Sequence, residues 1–302
     1  MDNEGVRFAD LFKYIAYGDT IIVNCPLSIV HSIRNMSVIT KRVGHLEYLA
    51  AEGIKAPHCF TTRFGGVSEG YLSSLNIGVH RGDDPKNVAK NYEILADTLG
   101  ISCDDFVVTK QTHSDIVRIV DGSDRGKCLV EGASPECDAL VTNTDGVALV
   151  VFTADCTPII LHDPVTGAVG AAHAGWRGTA ADIAGKTVRA MVCNFGSDPK
   201  NIRAAIGPNI AQCCFETDAD VPHAMLAAFG KEAMPFIRKK DEKYYVNLKE
   251  INALALRQAG VCHIEISEEC TACRPDRFWS HRRVGNQRGS QGAVIVCRRG
   301  SR

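Results

Sequence analysis

An excess of charge of either sign is missing from this sequence. Its 302 residues carry 34 Lys and Arg against 35 Asp and Glu, a formal net charge of -1. No electrostatic argument therefore brings it to a nucleic-acid backbone or a membrane surface. No apolar run approaches the roughly 20 residues that a membrane-spanning helix needs. The first residues, Met1-Asp2-Asn3-Glu4, lack the basic and apolar regions of a secretory signal, so the cytoplasm is the expected compartment. Internal repeats and long linkers are absent, which favours one globular α/β unit with an N-terminal extension. A phosphate-loop signature is missing too: Gly65-Gly66 allows a tight loop after a strand but matches no such motif.

Cysteine, by contrast, is plentiful, at 13 residues. An odd number scattered along a long chain is no disulfide scaffold, and in a reducing compartment most read as small buried hydrophobes. Cys270-Thr271-Ala272-Cys273 has zinc or redox spacing, but a structural zinc site needs a second pair. No other CxxC exists, so these two are expected to be structural thiols that hold no metal.

The stretch from Val147 to Asn194 organises the rest. Val147 to Thr153 is continuous, apolar and β-branched, the pattern of a strand buried on both faces. It ends at Ala154-Asp155-Cys156. Ile159 to His162 begins a second strand, and Ala168 to Ala172 a third of small residues that runs into His173-Ala174-Gly175-Trp176-Arg177-Gly178. Thr179 or Asp182 caps a helix through about Cys193. A cysteine and a histidine thus fall at the ends of neighbouring strands, where α/β proteins place their chemistry.

Earlier in the chain, residues 1–50 alternate short apolar runs with polar breaks and read as a β-rich extension. Within it, Leu46 to Gly53 reads as a short helix closed by glycine. The main domain, 51–302, continues with a strand at His58 to Thr62 and a helix capped by Asp84-Pro85 that runs to Gly100. Strands follow at Phe106 to Thr109, Ile116 to Val120 and Cys137 to Val141, with a loop over Asp121 to Pro135. Beyond the central stretch come a strand at Ile202 to Ile206, a helix over Asp218 to Phe229, a strand at Tyr244 to Val246 and a helix capped by Asn247. Strands at Ile264 to Ile266, Phe278 to Arg283 and Ala293 to Cys297 complete the reading.

His113, Cys156 and His173 each sit at a strand end or loop bordered by small residues. Two imidazoles and a thiolate are good zinc ligands and leave a fourth position for water or substrate. Their spacing leaves three roles open: a zinc site assembled by the fold, satisfied structural histidines with an inert thiol, or a nucleophilic Cys156 with a histidine base and Asp155 as orienter. Arg63, Arg177 and Arg282 lie in motif-like loops, and a guanidinium matches phosphate bidentately.

Seven motifs recur together here. They are Thr61-Thr62-Arg63-Phe64-Gly65-Gly66-Val67-Ser68, Ser74-Leu75-Asn76-Ile77-Gly78, Gln111-Thr112-His113, Thr153-Ala154-Asp155-Cys156-Thr157-Pro158, Ala172-His173-Ala174-Gly175-Trp176-Arg177-Gly178, Ile206-Gly207-Pro208 and Ser280-His281-Arg282-Arg283. In order and spacing this set resembles the YfiH (laccase-domain, "multicopper polyphenol oxidase") family over residues 57 to 297. The resemblance implies an α/β (α+β) fold with mixed β-sheets layered between helices, like the cytotoxic necrotizing factor catalytic domain. It further implies a zinc-dependent purine nucleoside phosphorylase acting on adenosine, inosine, guanosine and methylthioadenosine, with adenosine deaminase activity. The metal ligands it implies are His113, Cys156 and His173; Asp155 beside them is read as a catalytic acid or base or, equally, as a structural hydrogen-bonding residue. Arg63, Asn76, Arg177 and Arg282 are the expected substrate and phosphate residues. Zinc is the expected cofactor and copper the second choice, because copper redox chemistry wants more histidines and a local His-Cys-His cluster. Purine nucleosides and inorganic phosphate are the expected partners, without nucleic acid or membrane, in a monomer or small homo-oligomer. Two departures stand out: His281 replaces the usual Tyr, and the first 50 residues exceed the shorter bacterial form. A cysteine hydrolase using Cys156 and His173, and a non-catalytic module with a closed structural zinc, are the competing readings.

Overall fold

The computed structural model describes residues 37–127 and 134–298. Three sheets and six α-helices make up this part of the chain. The first sheet runs, in spatial order, β1 (Val38–Val43), β2 (Leu46–Ala51), β3 (His58–Thr61), β15 (Gln291–Val296), β7 (Ala148–Thr153) and β4 (Phe106–Val108). The second runs β14 (His263–Ile266), β10 (Arg203–Ile206), β8 (Thr157–His162), β9 (Val169–Ala174), β6 (Ala139–Thr142) and β5 (Val117–Ile119). A small third sheet orders β11 (Glu216–Thr217), β13 (Lys243–Val246) and β12 (Ile237–Lys240).

Strand alternation explains the layering. On β7, Leu149 and Val151 join Phe60, Ile295, Leu140, Ile160 and Ala171 in a core filled from both large sheets. The alternate residues Ala148 and Val150 face the other way, with Val294 and Val296 of β15, onto Val88, Tyr92, Leu95 and Leu99. Those four lie on one face of helix α1 (Pro85–Leu99). A strand covered on both faces needs no polar side, which is why residues 147–152 are apolar throughout. Each such aliphatic side chain contributes about 1.5–3 kcal/mol by leaving water. On the outer face of the second sheet, helix α3 (Ile183–Phe195) packs Thr187 and Met191 to within 3.2 and 3.3 Å of where a Cβ on Gly170 would stand. The small residues of β9 permit that approach. The mixed sheets layered between helices are therefore present.

Helix ends follow their local signals. Asp84 accepts from the Lys86 amide at 2.8 Å, Pro85 takes the first helical position, and Gly100 closes α1 at φ 67°. Asp182 caps α3, but a separate short helix, α2 (Trp176–Ala180), precedes it. Helices α4 (Asp220–Phe229) and α5 (Leu248–Gln258), the latter capped by Asn247, stand where the sequence reading puts them.

Two local assignments change. Leu46 to Gly53 is strand β2 rather than a helix: Gly44 turns the chain, and β2 pairs with β1 along its length and with β3 at Tyr48 and Leu49. Sheet pairing here overrides an apolar pattern that is helical or extended with equal ease. Phe278 to Arg283 is not a strand; it ends in helix α6 (His281–Val284). Its amides go to side chains instead of a ladder, Trp279 to Gln291 Oε1 at 2.6 Å and Arg282 to Asp155 Oδ2 at 2.7 Å. Residues 1–36 of the expected β-rich extension, with its short apolar runs Ile21–Val23 and Ile29–Val30, and residues 128–133 of the expected loop lie outside the described residues. Among those described, no helix is long and apolar enough to cross a membrane.

Candidate metal and substrate site

Of the four connections that pass between the two large sheets, two carry a potential ligand. Between β7 and β8, Ala154-Asp155-Cys156 crosses over with Asp155 at φ 88°. Between β4 and β5, the loop holds His113 at φ 61°. Positive φ on a residue other than glycine costs of order 1–3 kcal/mol and persists only when its surroundings impose it. The third side chain, His173, is on β9, whose Thr157↔Ala174 and Pro158↔His173 register brings it beside Cys156. The ligand atoms of His113, Cys156 and His173 all lie within 4.8 Å of one another. Cys156 Sγ is 3.8 Å from His113 Nε2, and the two imidazoles meet edge to face with centroids 5.0 Å apart.

Asp138 holds this arrangement, and the sequence reading missed it. It is fully buried and accepts from His173 Nδ1 at 2.7 Å, from the amides of Thr112, His113 and Ser114 at 3.1, 3.2 and 2.7 Å, and from Ser114 Oγ at 2.7 Å. Burial alone would raise its pKa, but the bonds from His173 and Ser114 bring it down to about 2. A carboxylate on Nδ1–H fixes the tautomer and turns Nε2 of His173 toward the cluster. The available signal was an acid inside an otherwise apolar strand, Cys137 to Val141. Gln111 anchors the same loop, its amide pairing with both backbone groups of Phe152 at 2.6 and 2.7 Å.

Electrostatics within the cluster favour a thiolate. Burial pushes the Cys156 thiol up, yet His173 and His113 outweigh it and hold the pKa at about 6. His173 is driven down by burial and up by Cys156 and Asp138, reaching about 9. Two imidazoles and one thiolate, with the second histidine nitrogen braced by a carboxylate, match the donor set of an open zinc site. The same donors accept copper, and the geometry alone does not choose the ion.

The cluster forms one end of a cleft of about 340 Å³, whose other walls include Arg81, Phe152, Arg288 and Ser290. Arg81 donates to Ser290 Oγ at 3.1 Å, and Arg288 to the Gly289 carbonyl at 3.0 Å. Arg288 is 8% exposed, its Nε has no hydrogen-bond partner, and burial together with Arg81 lowers its pKa to about 10. Burial lowers Arg81 as well. No carboxylate among the described residues is hydrogen-bonded to either guanidinium. Asp155 and Cys156 attract Arg288 without a hydrogen bond to it, and a buried cation lacking a bonded carboxylate is costly, so the site is suited to an anion brought by a ligand.

The other expected site residues are placed as follows. Asp155 is buried, and its carboxylate accepts from Thr271 Oγ1 at 2.6 Å, Ser280 Oγ at 3.0 Å and the Arg282 amide at 2.7 Å. Those bonds hold the strained crossover. Arg63 stacks over Trp279 at 4.0 Å and donates to the carbonyls of Ser73 and Pro275. Arg282 binds the carbonyls of Cys214 and Glu216 at 3.0 and 2.9 Å. Arg177 is exposed and lies over Trp176 at 4.2 Å. Asn76 is fully buried and accepts from the amides of Gly78 and Ser290 at 3.0 and 2.9 Å, joining the segments that carry Arg81 and Arg288. None of these five residues lines the cleft. Arg81 and Arg288 gave little sequence signal beyond an arginine before a glycine in each case. The premise that Cys270 and Cys273 lack a second pair is also corrected: the adjacent Cys213 and Cys214 meet them in space.

Comparison with known proteins places the fold in a family. Residues 57–298 match the family described as multi-copper polyphenol oxidoreductase laccase. A purine nucleoside phosphorylase, YlmD, of Geobacillus stearothermophilus is 40% identical over 241 residues, which are 78% of this chain and 87% of that protein. An adenosine deaminase, RL5, from an unknown prokaryotic organism is 36% identical over 79% of this chain and 93% of its own length. The crystal structure of the Geobacillus YlmD superposes with a TM-score of 0.81 at 36% identity, covering 86% of this chain and 99% of that one.

Proposed function

We propose, from the premise that this chain belongs to the multi-copper polyphenol oxidoreductase laccase family, that it is an enzyme that phosphorolyses purine nucleosides and deaminates adenosine. One observation carries the reading: a single cleft joins the His113–Cys156–His173 cluster to the buried Arg288 and the half-buried Arg81, neither of which is hydrogen-bonded to a carboxylate. In phosphorolysis a phosphate oxygen bonds to the anomeric carbon, the glycosidic bond breaks, and the purine leaves with the electron pair and takes a proton. Arg81 and Arg288 hold and orient the phosphate. Asn76 positions them by tying their two segments together. His113, Cys156 and His173 would hold a zinc ion, which when bound would supply Lewis-acid polarisation for phosphorolysis and activation of water for deamination. Asp155, already engaged by three donors, is a positioning residue that fixes the turn carrying Cys156. Adenosine, inosine, guanosine and methylthioadenosine are the proposed substrates, in the cytoplasm.

Product analysis of metal-quantified protein with adenosine, with and without phosphate, tests this. Adenine requires phosphorolysis, inosine requires deamination, and hypoxanthine requires both. Arg288→Gln removes a charge-assisted contact worth about 1.5–3 kcal/mol, so the phosphate KM should rise about 10- to 100-fold while phosphate-independent deamination persists. Phosphate-dependent turnover unchanged in both Arg288→Gln and Arg81→Gln would remove the anion site. The lowered thiol pKa also suits a Cys156 nucleophile with His173 as base. Verified metal-free protein separates the two, because only the cysteine mechanism survives chelation.

A further inference from the structure

Four of the cysteines converge at a second place, away from the cleft. Cys213 and Cys214 lie in the loop after β10, and Cys270 and Cys273 in the loop after β14. We propose that these four thiols form a second metal site, which binds one zinc ion as a tetrathiolate.

The sulfur positions carry the argument. Cys213 Sγ lies 3.7 Å from Cys214, 3.7 Å from Cys270 and 3.6 Å from Cys273, while Cys214 lies 3.4 Å from Cys273. All four sulfurs are within 4.8 Å of one another. A tetrahedron with zinc–sulfur bonds of about 2.3 Å has edges of about 3.8 Å, so the sulfurs stand close to where that ion requires them. A disulfide needs about 2.05 Å, and no pair approaches it. Soft thiolates select a thiophilic d10 ion over calcium or magnesium.

The surrounding backbone is organised for this role. Asn209 bridges to Cys270, the Thr271 amide donates to the Asn209 carbonyl at 3.0 Å, and the Ala211 amide donates to Cys270 Sγ at 3.3 Å. An amide directed at a sulfur stabilises a thiolate ligand and fixes its direction. Cys270 is buried, whereas Cys213 and Cys273 are exposed, so an ion has a path in and the displaced thiol protons a path out. Four thiolates around a divalent cation leave a net charge of about -2. The buried ammonium of Lys249, held by the carbonyls of Ser267 and Glu269 at 2.6 Å each, lies near enough to feel Cys270 and Cys213.

The position gives the ion a structural task. Thr271, between the two cysteines of the CxxC, donates to Asp155, and Arg282 joins Asp155 to the carbonyl of Cys214. A tetrathiolate would lock together the two loops that stand behind the crossover bearing Cys156.

The test separates the two sites by emptying the first. Cys156→Ala protein, purified under reducing conditions, is weighed by native mass spectrometry and its zinc quantified. We expect close to two zinc ions in the unmodified chain, close to one in Cys156→Ala, and almost none in Cys156→Ala/Cys273→Ser. Cys273 is exposed, so the second substitution should leave the fold intact, as circular dichroism will check. Cobalt loading of Cys156→Ala should give strong thiolate-to-metal charge-transfer absorption that vanishes with Cys273→Ser. A metal-free Cys156→Ala protein with four freely alkylated thiols would overturn the proposal. So would a mass about two daltons low from a disulfide within the cluster. Failure of the nucleoside assays would leave both outcomes readable, since neither depends on turnover.

Discussion

Replacing Asp138 with Asn keeps the shape of the side chain but removes its charge and one of its acceptors. Oδ1 accepts from His113 N and His173 Nδ1, and Oδ2 from the Thr112 and Ser114 amides and the Ser114 hydroxyl. Whichever position the new NH2 group takes, it faces donors. Facing Oδ2's partners, it opposes two amides that cannot reorient. Facing Oδ1's partners, it opposes one amide, while His173 can escape by moving its proton from Nδ1 to Nε2. That escape puts a hydrogen on the nitrogen required for metal. A lost carboxylate behind a ligating histidine costs about 10- to 100-fold in metal affinity, or about 1.4–2.7 kcal/mol. Stranding one or two buried donors removes about 1–3 kcal/mol of stability each. Zinc competition against a chromophoric chelator measures the first quantity, and urea unfolding of chelated protein the second. Ser114→Ala removes only a hydroxyl and should cost about 1 kcal/mol with a small change in affinity. Asp138→Asn protein that holds zinc as tightly as the unmodified chain would refute the assignment of Asp138 as the group that orients His173.

Other outcomes follow from the same coordinates. Gly175→Ala would set a Cβ 2.8 Å from His113 Cδ2 and 3.3 Å from Cys156 Sγ, so it should lower zinc occupancy with little loss of thermal stability; normal occupancy by elemental analysis would count against the site. With zinc bound, Cys156 should resist iodoacetamide and become reactive on chelation, as peptide mapping can report; equal labelling in both states would argue against ligation. His58 is buried, accepts from the Ala51 amide at 2.9 Å and bonds the Ala56 carbonyl at 2.7 Å, and burial holds its pKa at about 4, below the ordinary 6.5. Below pH 6.5 the unfolded chain takes up a proton that the folded one refuses, so stability falls as pH drops from 6.5 to about 4, by about 3 kcal/mol in all. His58→Gln should flatten that slope between pH 6.5 and 5 in urea titrations, and an unaltered slope would assign the pH dependence elsewhere.

The sequence exposed what is local and left out what depends on meeting across the fold. Val147 to Thr153, Asp84-Pro85 and Asn247 each carry their structural cause within a few residues, and each element is found in place. His113, Cys156 and His173 were recognisable as residue types, but two of the crossovers between sheets and the β8–β9 register make them neighbours. Arg81 and Arg288 stand in the cleft without a hydrogen-bonded carboxylate, which no single stretch of chain can display. Conversely, Arg63 and Arg282 sit in conspicuous motifs because they hold carbonyls of distant loops. Cys213 and Cys214 escaped notice because pairing was sought as a second CxxC, and adjacent cysteines supply the same two sulfurs.

The place of β15 bears on how the molecule is made. It is inserted between β3 and β7, pairing antiparallel with both, although its residues follow those of every other strand. During synthesis, β3 and β7 emerge long before residues 291–296 and cannot pair with each other at the distance β15 will later fill. Each presents an unsatisfied edge, the kind of surface that recruits a strand from another chain. Closing the gap joins β15 to β3, more than 200 residues earlier, as well as to the nearer β7, a connection whose entropy cost slows folding. A nascent chain stalled before Gln291 is therefore the species most exposed to aggregation and most in need of a holding chaperone.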